Sequence, residues 1–83
     1  MKTIILTLNA AKDLDALLRD AREQVEQGLN RYAMTGQGDV KGLKGRDGYR
    51  LRIGSYRVIF DEDAYTILAM YIGRRSTTTY KRS

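Results

Sequence analysis

The chain has 83 residues with neither cysteine nor histidine. That length holds one small domain, and the composition excludes disulfide staples, Cys/His zinc sites, thiol chemistry and any nucleophile activated by histidine. Lys and Arg number 15 against 10 Asp and Glu, for a net charge of +5.

The charge excess is lopsided. Residues 1–40 carry five bases and six acids, whereas residues 41–83 carry ten bases and four acids. A basic half on a near-neutral one is a footprint for polyanions, with nucleic acid first and a membrane surface second. A solvated basic surface without a ligand would carry the same charge. A chain this short buries only about 60% of the surface its unfolded form exposes, so burial against a partner is expected to help it fold.

At the N-terminus, Lys2 precedes an apolar run, in outline like a signal peptide. Thr3 to Leu8 is only six residues with two threonines, short of the roughly 7–15 apolar residues such a segment needs, so it reads as a β-strand. No stretch approaches the ~20 apolar residues of a membrane span. With cysteine absent, a reducing compartment fits, and the expected location is the cytoplasm with no membrane partner.

Asn9 is the expected N-cap of a following helix, its side-chain oxygen facing the free amides of the next turn. From Ala10 to Met34, Leu14, Leu17, Leu18, Ala21, Val25, Leu29, Tyr32 and Ala33 recur at threes and fours, the period of an amphipathic helix. Two helices with a break near Leu18–Asp20 are expected, because Asp20 followed by Glu23 resembles a capping box. Thr35–Asp39 reads as a linker.

The remainder reads as strand: a short extended piece at Val40–Lys44, then Tyr49–Ile53 and Tyr56–Phe60 around the two-residue turn Gly54–Ser55. A turn at Asp61–Ala64 leads to Tyr65–Ile72, apolar on both faces as a central strand would be. The expected fold is α+β: an N-terminal strand, an α-helical hairpin, then an antiparallel meander forming one small sheet with helices on one face. Residues 1–83 make a single domain.

A two-residue hairpin fixes register. It pairs Arg52 with Arg57 and Leu51 with Val58, and sends Tyr49, Leu51, Ile53, Tyr56, Val58 and Phe60 to the core face. Arg50, Arg52 and Arg57 then share the other face. Like charges directly opposite cost folding stability, so a sequence shaped by folding alone would carry an acid or threonine there. One exposed arginine is ordinary; three converging on one strand pair match phosphate oxygens, which guanidinium groups bind bidentately. The C-terminal run adds Arg74, Arg75, Tyr80 and Lys81, with the Tyr80 ring free to stack on a base.

The series Leu43–Lys44–Gly45, Tyr49–Arg50–Leu51–Arg52–Ile53, Tyr56–Arg57–Val58–Ile59–Phe60 and Ile72–Gly73–Arg74–Arg75 before Tyr80 resembles the RelE/ParE superfamily of bacterial toxins from type II toxin–antitoxin pairs, over almost the whole chain. The resemblance implies a ribosome-dependent endoribonuclease in the RelE branch or an inhibitor of DNA gyrase in the ParE branch. In either case the toxin is neutralised by a cognate antitoxin protein, which links the pair to operator DNA. The arginine set and terminal tyrosine favour the RelE branch, with the ribosome and mRNA as partners.

By the same resemblance, Arg57 holds the scissile phosphate, and Arg74 or Arg75 stabilises the transition state, Arg75 being better placed by its distance from Tyr80. Tyr80 stacks on and orients the nucleotide, while Lys44, Arg50, Arg52, Arg74 and Lys81 contact RNA phosphate. Arg50 and Arg52 stand where the RelE type has lysines. An arginine is a poor proton acceptor, whereas a lysine's pKa can be lowered among cations. Proton transfer therefore falls to Tyr80, to Lys44 or Lys41, or to ribosomal groups. The implied reaction is attack of a ribose 2′-OH on its own 3′ phosphate, which preorganised arginines favour by neutralising the phosphorane. It uses no metal and no cofactor.

Overall fold

The computed structural model of the chain describes residues 1–74. Strand β1 (Thr3–Leu6) leads into helices α1 (Leu8–Asp15) and α2 (Arg19–Thr35). Strands β2 (Asp39–Gly42), β3 (Tyr49–Ile53), β4 (Tyr56–Glu62) and β5 (Thr66–Arg74) follow. The sheet order is β1-β5-β4-β3-β2, antiparallel from β5 to β2 and parallel between β1 and β5. The expected meander is present, and the N-terminal strand closes its far side as a parallel edge.

Both helix starts differ from the sequence reading. Thr7, not Asn9, caps α1: its backbone is extended and its hydroxyl accepts from the Ala10 N–H at 3.1 Å. The chain does break between two helices, but Leu18 occupies the second cap position without a side-chain bond. Asp20 lies inside the first turn instead, where a carboxylate complements the helix dipole.

Helices cover one face of the sheet. Ala10 and Leu14 from α1 and Val25, Leu29 and Ala33 from α2 pack with Leu51, Val58, Phe60, Ile67, Ala69 and Ile72 in one buried cluster. Phe60, wholly buried, lies edge-on to Tyr32 and stacks on Tyr49, with both ring centroids at 5.5 Å. Truncating such a phenylalanine costs about 3–5 kcal/mol. Beside this core Glu62 joins three elements: one carboxylate oxygen takes the Lys2 ammonium at 2.7 Å and the other accepts from the Tyr32 hydroxyl at 2.8 Å.

The β3–β4 hairpin has the register expected from its turn, with Gly54 at φ 57° in the turn, a region open to glycine. Strand β4 runs two residues past its expected end. The turn therefore falls at Asp63, whose carboxylate accepts from the Tyr65 and Thr66 N–H groups, both at 2.8 Å. Those bonds hold the Asp63 carboxyl below its ordinary value.

Strand β5 departs from simple alternation. Ile59 pairs with Tyr71 but Phe60 pairs with Ala69, so Met70 is an extra residue forming a β-bulge. The bulge lets Ala69 and Ile72, three positions apart, both enter the core. Beyond Leu6 strand β1 no longer covers β5, and residues of α1 take over. The Met70 carbonyl accepts from the Thr7 hydroxyl at 3.3 Å and the Asn9 amide at 3.2 Å, while the Ile72 N–H donates to the Asp13 carboxylate at 3.0 Å.

Two outcomes follow. Asp13→Ala should lower the unfolding free energy by about 1–3 kcal/mol in urea titrations, since it orphans the Ile72 N–H, and Asp13→Asn should recover most of the loss. The second concerns Tyr32, whose hydroxyl is pushed up from 10.0 to about 12 by burial, its bond to Glu62 and that carboxylate's charge. Because the folded value is the higher one, the Tyr32 contribution is complete below pH 10 and is lost as pH rises through about 12. Wild-type protein should therefore lose stability more steeply across that window than Tyr32→Phe, measured by urea midpoints at stepped pH.

Candidate functional site

The uncovered face of the sheet follows from the same alternation that builds the core. On β3 and β4, Leu51 and Val58 point to the helices, so Arg50, Arg52, Arg57 and Ile59 point away. Arg52 and Arg57 are directly paired across the strands, and Lys41 on β2 stands opposite Arg50. The face thus gathers cations from three adjacent strands.

These cations lack the counterions that would make them structural. Among the described residues, the ion pairs are Lys2–Glu62 and Arg19–Glu23, neither on this face. Asp39 is in register with Arg52 but forms no ion pair with it. The Nε atoms of Arg50 and Arg57 are buried without a hydrogen-bond partner. Buried donors left unmade are costly, about 1–3 kcal/mol each and more when charged. Both side chains are half-buried, so only part of each guanidinium is open to solvent.

Beside the cluster lies an open cleft of about 450 Å³ lined by Leu43, Lys44, Arg46, Arg57, Ile59, Met70 and Tyr71. Lys44 and Arg57, both sequence candidates, meet here. Arg52 instead borders a second groove, of about 350 Å³, shared with Gln24, Arg31 and Asp39. Arg74 is on the opposite side of the sheet: it pairs with the core-facing Tyr56, and its guanidinium carbon lies 5.7 Å from that ring's centroid. Its position follows from strand parity, since the neighbouring Gly73 pairs with Arg57 on the open face. Arg75, Tyr80 and Lys81 lie outside the described residues.

Arg46 and Tyr71 belong to the cleft without having been singled out from sequence. Arg46 lies in the β2–β3 loop, where a simple search for basic residues near Lys44 finds it. Tyr71 could be placed only by noticing that Ala69 and Ile72 cannot both be buried without a bulge. Among the described residues, no cluster of acidic side chains is arranged to hold a metal ion, and no helix is long and apolar enough to cross a membrane.

By sequence, no protein-family model matches the chain, nor does any curated protein. By fold the similarity is extensive. The RelBE2 toxin–antitoxin complex of Mycobacterium tuberculosis aligns with a TM-score of 0.78 at 22% identity, over 89% of this chain and 98% of that one. The archaeal RelE–RelB complex of Pyrococcus horikoshii OT3 gives 0.76 at 21%, over 93% and 98%. Isolated RelE of E. coli gives 0.76 at 16%, over 94% and 88%. The architecture is a small α+β domain with one bare sheet face; it is the fold of the RelE toxins.

The unpaired Arg52–Arg57 neighbours supply a test of whether the face is strained by its own charge. Arg52→Thr should raise the urea midpoint at low salt, by about 0.2–1 kcal/mol for relief of like charges, and the gain should shrink at high salt as screening removes the repulsion. An equal gain at both ionic strengths would assign the effect to strand propensity instead.

Proposed function

We propose that this chain is the toxin of a type II toxin–antitoxin pair and that it cleaves mRNA on the ribosome as a metal-independent endoribonuclease. One observation carries the reading: in a RelE-like fold, Arg50 and Arg57 hold buried, unpartnered Nε atoms beside Arg52 on the bare face of the sheet. Arginines held for the fold alone would form ion pairs, and these form none. These are arranged for an anion that arrives with a ligand, and an RNA phosphodiester meets the charge and the fork geometry.

In this mechanism Arg57 grips the scissile phosphate. Arg50 and Arg52 offset the negative charge that grows on the phosphorane as the ribose 2′-OH attacks, leaving a 2′,3′-cyclic phosphate and a 5′-OH. Such preorganised electrostatic groups are typically worth about 10²–10³-fold each in rate. Lys44, which lines the same cleft as Arg57, is the amine assigned here to proton handling, with Lys41 opposite Arg50 as the other. Arg75 and Tyr80 complete the set by the resemblance, the first against the transition state and the second as the ring that orients the nucleotide. Lys81 is left to contacts with flanking phosphate, whereas Arg74, on the helix side of the sheet over the Tyr56 ring, drops out of the set. The solved RelE chains were crystallised with RelB antitoxins in several cases. A cognate antitoxin is accordingly the proposed protein partner, and the cytoplasm the proposed place of action.

Primer extension on a defined mRNA in a translating bacterial extract tests the assignment. Wild-type protein should give discrete, ribosome-dependent cuts, and Arg57→Ala and Tyr80→Ala should each reduce cutting by about 100-fold or more. Intact mRNA in an extract that still responds to a control ribonuclease toxin would refute the nuclease and shift the reading to gyrase inhibition.

A further inference from the structure

Resting on the proposed RNA reading, we infer that Tyr71 is a second nucleobase platform, holding the base of the nucleotide whose phosphate Arg57 binds. The bulge at Met70 is what brings Tyr71 to the open face, opposite Ile59 and two pairs along the ladder from Arg57. Gly73, the residue paired with Arg57, has no side chain, and the Tyr71 ring lies over it. A Cβ placed at Gly73 would collide with the Tyr71 hydroxyl and come within 2.7 Å of the ring carbon that bears it. Any larger residue at 73 would displace the ring, so the pair Tyr71 and Gly73 acts as one unit.

The ring is neither a core residue nor a stray surface group. Tyr71 is 40% exposed, and it borders the same cleft as Lys44, Arg46 and Arg57. That cleft combines cations, one aromatic wall, and an apolar floor of Ile59 and Met70, with no acidic residue lining it. Its volume is within the range of sites that hold one small ligand. Phosphate on the cations and a base on the ring is the chemistry this lining accepts, because a π-face stacks with any base while guanidinium and ammonium groups track the backbone. An acidic peptide would use the cations but would gain little from a bare ring beside them.

The test is a fluorescence titration of the full chain with a short single-stranded RNA carrying 2-aminopurine, each ribose 2′-O-methylated so that it is not cut. Base stacking by a single aromatic side chain is typically worth about 10-fold or more in affinity. Tyr71→Ala should therefore weaken binding about 10-fold and reduce 2-aminopurine quenching to the part that Tyr80 supplies, with the salt dependence unchanged. Tyr71→Phe should bind and quench like wild type. Arg57→Ala should weaken binding and lower the salt slope by about one, as loss of one phosphate contact does. Gly73→Val should reproduce the Tyr71→Ala loss of quenching. Unchanged affinity and quenching in Tyr71→Ala, with Arg57→Ala still impaired, would overturn the platform and leave the arginine reading intact. No binding by the wild-type chain would overturn both. Weakened binding of an acidic peptide by Tyr71→Ala, with RNA binding unaffected, would reassign the ring to a protein contact.

Discussion

The phase of β5 governs the molecule. A strand shows alternate residues to opposite faces, yet Ala69 and Ile72 must both enter the core, and only an extra residue between them reconciles the two demands. Met70 supplies it, and α1 makes the insertion tolerable by bonding its freed carbonyl through Thr7 and Asn9 and the Ile72 N–H through Asp13. Burial of Ile72, exposure of Tyr71 and the opposite placement of Gly73 and Arg74 all follow from that single residue. The helix thus has two tasks, covering the core and sealing the edge that β1 leaves bare.

The two faces of the sheet are governed by different forces. On the helix side, burial and ring packing around Phe60 hold the domain together, reinforced by the Glu62 link to Lys2 and Tyr32. On the other side, cations from β2, β3 and β4 stand together without an ion pair among the described residues, and the Arg52–Arg57 pairing opposes folding. Natural proteins concentrate such local conflicts at sites of function. The conflict is largest where Arg52 meets Arg57, and a cleft opens beside Arg57.

Much of this was legible from the residues. The Gly54–Ser55 turn with alternating apolar residues gave the hairpin register, and with it the shared face of Arg50, Arg52 and Arg57. The two-helix hairpin was also readable from its apolar period. What escaped was set by contacts distant in sequence. Thr7 caps α1 rather than Asn9 because Asn9 is drawn to the Met70 carbonyl, more than sixty residues away. Asp20 gave way to Leu18 at the second cap, since the chain turns into α2 before reaching it. The parallel partner of β1 and the bulge in β5 leave no local signature beyond an apolar stretch. For that reason the face occupied by Arg74, and the membership of Tyr71 in the cleft, could not be read in advance.

A sheet covered on one side only has a further consequence for how such a domain changes over time. Open-face positions on β3 and β4 alternate with the core positions Leu51, Val58 and Phe60, so a substitution on one face leaves the packing on the other in place. Change on the open face therefore acts on stability through charge, while change on the buried face acts through packing and is tolerated little. A fold specified mainly by its buried face is compatible with chains that superimpose over most of their length while sharing only 16–22% of their residues.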